Sequence, residues 1–149
     1  MRVVFVVLMS PRKRPRRDPR RSGERRRRSG QIPEPGPPFE VLWHPAADAE
    51  RAAISDGAER VAIQHAREKL EAIGGRLGAP HSSAIKGEEG SGLRELRPRA
   101  GRSRWRPIYR QVQAGIFVIL AVAPEAQIDK RGFEAKVRSA QQRVQELES

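Results

Sequence analysis

The chain has 149 residues, thirty Lys or Arg against eighteen Asp or Glu, for a formal charge of +12, and it contains no cysteine. That length suits one domain. The absence of cysteine excludes disulfide scaffolds, thiolate zinc sites and cysteine nucleophiles, and it fits a reducing, cytoplasmic setting.

The charge is unevenly spread. Residues 1–38 hold twelve basic residues against Asp18, Glu24 and Glu34, a net +9, whereas residues 39–149 hold eighteen basic against fifteen acidic, a net +3. Val3 to Leu8, extended by Met9, is apolar but far shorter than the ~20 residues of a membrane-spanning helix, and it lacks the cleavage pattern of a secretory signal. From 10 to 38, Arg, Pro, Ser and Gly dominate, with Arg25 to Arg28 consecutive and prolines at 33, 35, 37 and 38. Such composition buries too little apolar surface to offset ordering entropy, so residues 1–38 are expected to be a disordered leader. It reads either as an electrostatic arm for nucleic acid or as an upstream extension from too early a start codon. The domain is expected over 39–149.

Phe39 to His44 alternates as a strand does, and Pro45 ends it while suiting the first turn of a helix over about 46–54. Ser55 or Asp56 can cap the next helix, where Ile63, Ala66, Leu70, Ile73 and Leu77 recur at steps of three and four. The two helices form a hairpin able to cover one face of a sheet. Gly78 to Gly92 reads as loop. Three strands follow at Leu93 to Arg97, Trp105 to Val112 and Ile116 to Ala123, with breaks short enough for an antiparallel meander. The last strand is apolar throughout and is expected to be central. A final helix over about 130–147 repeats Phe133, Val137, Ala140, Val144 and Leu147 at helical spacing. The expected class is α+β, in the order β-α-α-β-β-β-α.

Three blocks sharpen that order: Ile85-Lys86-Gly87, then Leu93-Arg94-Glu95-Leu96-Arg97, then Arg104-Trp105-Arg106-Pro107-Ile108-Tyr109. In order and spacing they are similar to blocks of the RelE/ParE superfamily of bacterial toxins, closest to its HigB-like, phage-derived branch, over roughly residues 39–147. The resemblance implies the toxin of a type II toxin–antitoxin pair and, in the ribonuclease members, a ribosome-dependent messenger RNA endonuclease needing neither metal nor cofactor. It also implies an antitoxin partner whose acidic or amphipathic segment would cover the basic surface.

In such cleavage a 2′-hydroxyl attacks the neighbouring phosphate, and the protein orients the attack and stabilises charge on phosphorus. Arginine suits that task because its guanidinium stays protonated and contacts phosphate bidentately. Arg106 and Arg97 are therefore the candidate catalytic residues. Arg94, Arg99, Arg102, Arg104, Lys130 and Arg131 are candidates for holding phosphates, and Trp105 for stacking on a base. A solvated strand face of a basic protein carries arginines for no other reason, so each also has a plain structural reading. The chain departs from the ribonuclease pattern at Glu125, where some relatives place a basic residue, and at Phe133, which cannot move a proton where RelE-type enzymes offer a tyrosine.

None of the histidines obviously compensates. His44 ends the first strand, His65 is mid-helix and His81 lies in the loop; His81 is the nearest to an exception if that loop lies beside the sheet. They are too separated to suggest a metal site. Two alternatives remain from the sequence: a ParE-like protein that poisons DNA gyrase without catalysis, and a non-toxic nucleic-acid-binding relative. The ribonuclease reading needs Arg97 and Arg106 on one concave exposed surface, the gyrase reading an exposed apolar patch.

Overall fold

A computed structural model of the protein describes residues 36–88 and 91–148. The leader expected over 1–38 lies, from 1 to 35, outside the described residues.

Among the described residues, five strands and three longer helices make an α+β fold: β1 (Glu40–Trp43), α1 (Pro45–Ala52), α2 (Gly57–Ile73), β2 (Ser82–Ala84), β3 (Arg94–Leu96), β4 (Trp105–Gln113), β5 (Ile116–Pro124) and α3 (Lys130–Glu148). Short 3-10 turns occupy Gly74–Arg76 and Pro98–Gly101. The sheet runs β1-β5-β4-β3-β2.

Two expectations need correction. The sheet is mixed: β1 lies parallel to β5, Glu40 opposite Ile116 and Trp43 opposite Ile119, while the remaining pairs are antiparallel. And the segment Gly78 to Gly92 is not all loop, because Ser82–Ala84 pairs with Leu96–Arg94 as an extra edge strand. The observed order is therefore β-α-α-β-β-β-β-α. Ser-Ser-Ala has no apolar alternation, so β2 exists through its partner rather than its own propensity.

Local chemistry sets the helix ends. His44 Nδ1 accepts the Ala46 N–H at 3.0 Å and Asp56 accepts the Ala58 N–H at 2.9 Å, each capping a helix start. α2 stops at Ile73, before Leu77, because Gly74 adopts φ +67°; a Cβ there would meet the Phe39 ring at 2.6 Å. Leu77 is nevertheless buried.

The sheet is covered on both faces. Leu42, Ile108, Val118 and Leu120 pack with Val137, Ala140 and Val144 of α3. Val41, Leu96, Tyr109, Phe117 and Ile119 pack with Ala47, Ala66 and Leu70 of the helical hairpin. Every residue of β5 from Phe117 to Ala123 is buried, which explains its unbroken apolar run and its place between β1 and β4. Each fully buried Leu or Ile in these layers contributes about 1.5–3 kcal/mol.

Candidate functional site

On the hairpin side of the sheet a groove of about 440 Å³ runs between α2 and the Pro98–Gly101 turn. Its floor exists because Ala58, Ala62 and Ala66 recur every fourth residue of α2, presenting methyl groups where larger chains would fill the space. Beside them runs a second stripe at the same spacing, Val61, His65 and Lys69. The opposite wall is His81, Arg97, Pro98 and Arg99. Among the described residues no carboxylate lines this groove; its polar character comes from two imidazoles, one ammonium and two guanidinium residues.

Lys69 Nζ approaches His81 Nδ1 at 3.4 Å. An ammonium has no acceptor, so Lys69 donates, and the His81 ring proton then resides on Nε2. Arg97 is 34% exposed and contacts Glu95 at 3.1 Å, and Arg99 is 41% exposed with Glu59 at 3.8 Å. Both remain open enough to meet a solvent-borne anion.

The turn that presents Arg99 is strained. Arg99 and Ala100 have φ of +58° and +56°, followed by Gly101 at +95°. A left-handed backbone costs a non-glycine residue about 1–2 kcal/mol. At Gly101, whose φ of +95° favours glycine, a Cβ would stand 2.8 Å from the tip of the Arg97 side chain, which can move to make room.

Arg106 supplies the hold on that turn. It is 2% exposed, and its guanidinium donates to Gly101 O and Trp105 O at 3.0 Å, to Ser103 O, and to Glu125 Oε2 at 2.8 Å. Burial draws its pKa below the ordinary arginine value; Glu125 opposes that fall and Arg97 adds to it. A guanidinium remains charged near neutrality regardless. Arg106 thus anchors the loop from beneath, and Glu125, which replaces a basic residue in the expected pattern, is its counter-ion.

The other sequence candidates divide. Arg97 and Arg99 meet in the groove. Arg94 donates to Ser82 Oγ at 3.1 Å and Tyr109 OH at 3.3 Å, within the sheet. Arg102 is exposed and donates to Arg99 O at 3.2 Å. Arg104 and Trp105 line a different groove of about 280 Å³ with Glu50, Asp56 and Glu59, and the Arg104 guanidinium lies 5.8 Å from the Trp105 ring centroid. Lys130 and Arg131 are exposed at the start of α3, the helix that packs on the opposite face. Phe133 packs against the apolar cluster there.

Sequence reasoning did not single out Lys69, set His65 aside as a mid-helix residue, and kept His81 as the nearest to an exception among the histidines. The signal was present in the i, i+4 stripe of Val61, His65 and Lys69 beside an alanine stripe, but its facing wall comes from a distant part of the chain. Compared with known protein families, curated proteins and solved structures, the chain matches none. Among the described residues, no helix is long and apolar enough to cross a membrane.

Proposed function

We propose that this chain is the toxin of a type II toxin–antitoxin pair, RelE/ParE-like in topology and HigB-like in its sequence blocks, that acts in the cytoplasm as a ribosome-dependent messenger RNA endoribonuclease. The observation that carries this reading is the carboxylate-free groove in which His65, Lys69, His81, Arg97 and Arg99 converge. Phosphate is the ligand such a set attracts, and an apolar floor beside a cationic rim suits a nucleotide's ring and charge together. A volume of about 440 Å³ falls within the roughly 300–1,000 Å³ of ligand sites. The helical hairpin between β1 and the antiparallel run, with a helix after β5, supports the RelE-like reading of the fold.

Arg106 is buried and does not join Arg97 on an exposed concave surface as the sequence reading required, so it is no longer assigned to catalysis; Arg97 and Arg99 are assigned to the RNA, and Arg106 to holding the turn beneath them. The gyrase-directed alternative called for an exposed apolar patch. Among the described residues, the large exposed apolar side chains are Val61, Ile73 and Ile128. Val61 and Ile73 stand about 18 Å apart along α2, and Ile128 lies in the β5–α3 connection, so the RNA reading is the better supported. An antitoxin segment bearing carboxylates would fill the groove and silence it.

Inducing the full chain in a bacterial host is expected to arrest growth and create new messenger RNA ends. Replacing Arg97 and Arg99 together by Ala should weaken single-stranded RNA binding by tenfold or more and flatten its salt dependence by about 0.7 per lost phosphate contact. Normal growth with intact messages refutes the ribonuclease reading, and DNA breaks with intact RNA would establish the gyrase alternative instead.

A further inference from the structure

We infer that the groove is itself the scissile site for single-stranded RNA, with His65 taking the proton of the attacking 2′-hydroxyl and the Lys69–His81 pair returning a proton to the departing 5′-oxygen. This assignment rests on the RNA-directed reading above and moves the chemistry away from the arginines alone. Arginine stabilises charge but cannot exchange a proton near neutrality. Strand scission needs two proton transfers, and imidazole is the side chain best suited to both.

The geometry distributes the roles. Because Lys69 donates to His81 Nδ1 at 3.4 Å, that contact calls for the His81 tautomer with its proton on Nε2, placed to give it away. His65 precedes Lys69 by one helical turn, with Cβ atoms about 6 Å apart. It lines the same groove and is exposed to an entering ribose. A phosphate lodged between His65 and His81 would meet Arg97 and Arg99 on the same wall as His81.

The step balances. The 2′-O–H proton passes to a ring nitrogen of His65 as the O2′–P bond forms. The P–O5′ bond breaks, O5′ takes the Nε2 proton of His81, and the Lys69 ammonium passes its own proton to Nδ1. Arg97 and Arg99 stabilise the extra negative charge on phosphorus. The products are a 2′,3′-cyclic phosphate and a 5′-hydroxyl. His65 then gives up its proton to water, while His81 returns the Nδ1 proton to Lys69 and takes a new one from water on Nε2, restoring the starting state.

The test uses the full chain with a defined messenger RNA on translating ribosomes. His65→Gln and His81→Gln are each expected to slow cleavage about 100-fold or more while RNA affinity stays within about twofold. Added free imidazole should restore part of the activity of His81→Ala, which a merely structural role would not allow. The same message with a 2′-deoxy sugar at the cut position should resist. In a separate titration, adenosine 3′-monophosphate should move the imidazole NMR signals of both histidines.

If the wild-type protein cuts and both glutamine variants, folded by the same spectra, cut equally fast, the histidine assignment is overturned while the RNA reading stands. Cleavage of the deoxy message, or imidazole signals unmoved by the nucleotide, overturns it too. A wild-type protein that leaves the message intact removes the RNA reading and this assignment together.

Discussion

Two grooves flank the first turns of α2, and they carry opposite charge. One is walled by His65, Lys69, His81, Arg97 and Arg99; the other holds Glu50, Asp56 and Glu59 beside Arg104 and Trp105. The carboxylates are committed within the fold. Glu50 accepts from Lys136 Nζ at 2.6 Å, from Arg143 at 3.1 Å and from the Val122 N–H at 2.9 Å. Asp56 caps α2, and Glu59 accepts from Ser103 Oγ at 2.6 Å. In the cationic groove Arg97 and Arg99 keep over a third of their surface in solvent. Charges that build the structure are saturated by their neighbours, whereas Arg97 and Arg99 stay reachable alongside their contacts to Glu95 and Glu59. Arginine content alone does not separate the two, since Arg104 sits in the acidic groove and Arg106 in the interior.

The largest effect expected is from Arg106→Ala. It removes four donor contacts and leaves Glu125 beside an emptied site, so urea denaturation should show a loss on the order of 3 kcal/mol. Lys at this position should not rescue, because a point charge cannot serve the same fork of acceptors. Stability unchanged in Arg106→Ala would mean that the turn presenting Arg99 stands without its anchor.

Glu50→Gln tests the acidic groove and should cost about 1–3 kcal/mol at neutral pH. Burial alone would raise this carboxyl's pKa, but hydrogen bonds from Arg143, Lys136 and the Val122 N–H outweigh it and leave the pKa below 4.5. Its contribution is therefore full above that ordinary value and is lost as pH falls through the lower folded one. Thermal midpoints between pH 6 and 3 should fall less steeply in the variant; an equal slope would remove Glu50 from the acid response.

Ala100→Gly is the smallest change, a gain of about 1 kcal/mol from relieving the left-handed backbone at φ +56°. No gain would show that the turn stores no strain at that residue.

Much of the architecture could be read from periodicity. α2, β4, β5 and α3 each carry an apolar repeat long enough to identify them, and their observed ends lie close to those expected. The parallel pairing of β1 with β5 could not be read, because a strand's partner is not written in its own alternation. β2 was missed for want of any apolar pattern in Ser82-Ser83-Ala84. At the site, Arg97 and Arg99 line the groove while Arg106 lies in the interior. Arg106 shares its strand face with Ile108, which is fully buried. That two-residue period could have assigned it inward. His65 and Lys69 reach His81 across a chain separation that only the fold closes.

The network around Glu50 has one more consequence. Among the described residues, β1 accompanies β5 only as far as Trp43 and Ile119, and no strand neighbours the rest of that β5 edge. There Glu50 takes the Val122 N–H and Arg143 takes the Leu120 carbonyl at 2.7 Å, so side chains finish the ladder that β1 leaves incomplete. The far border of the sheet is β2, three residues long. Neither border gives an extended peptide much main chain to zip onto. A protein that captures this one must grip it by side chains and grooves, and the sheet resists growing into a larger one with copies of itself.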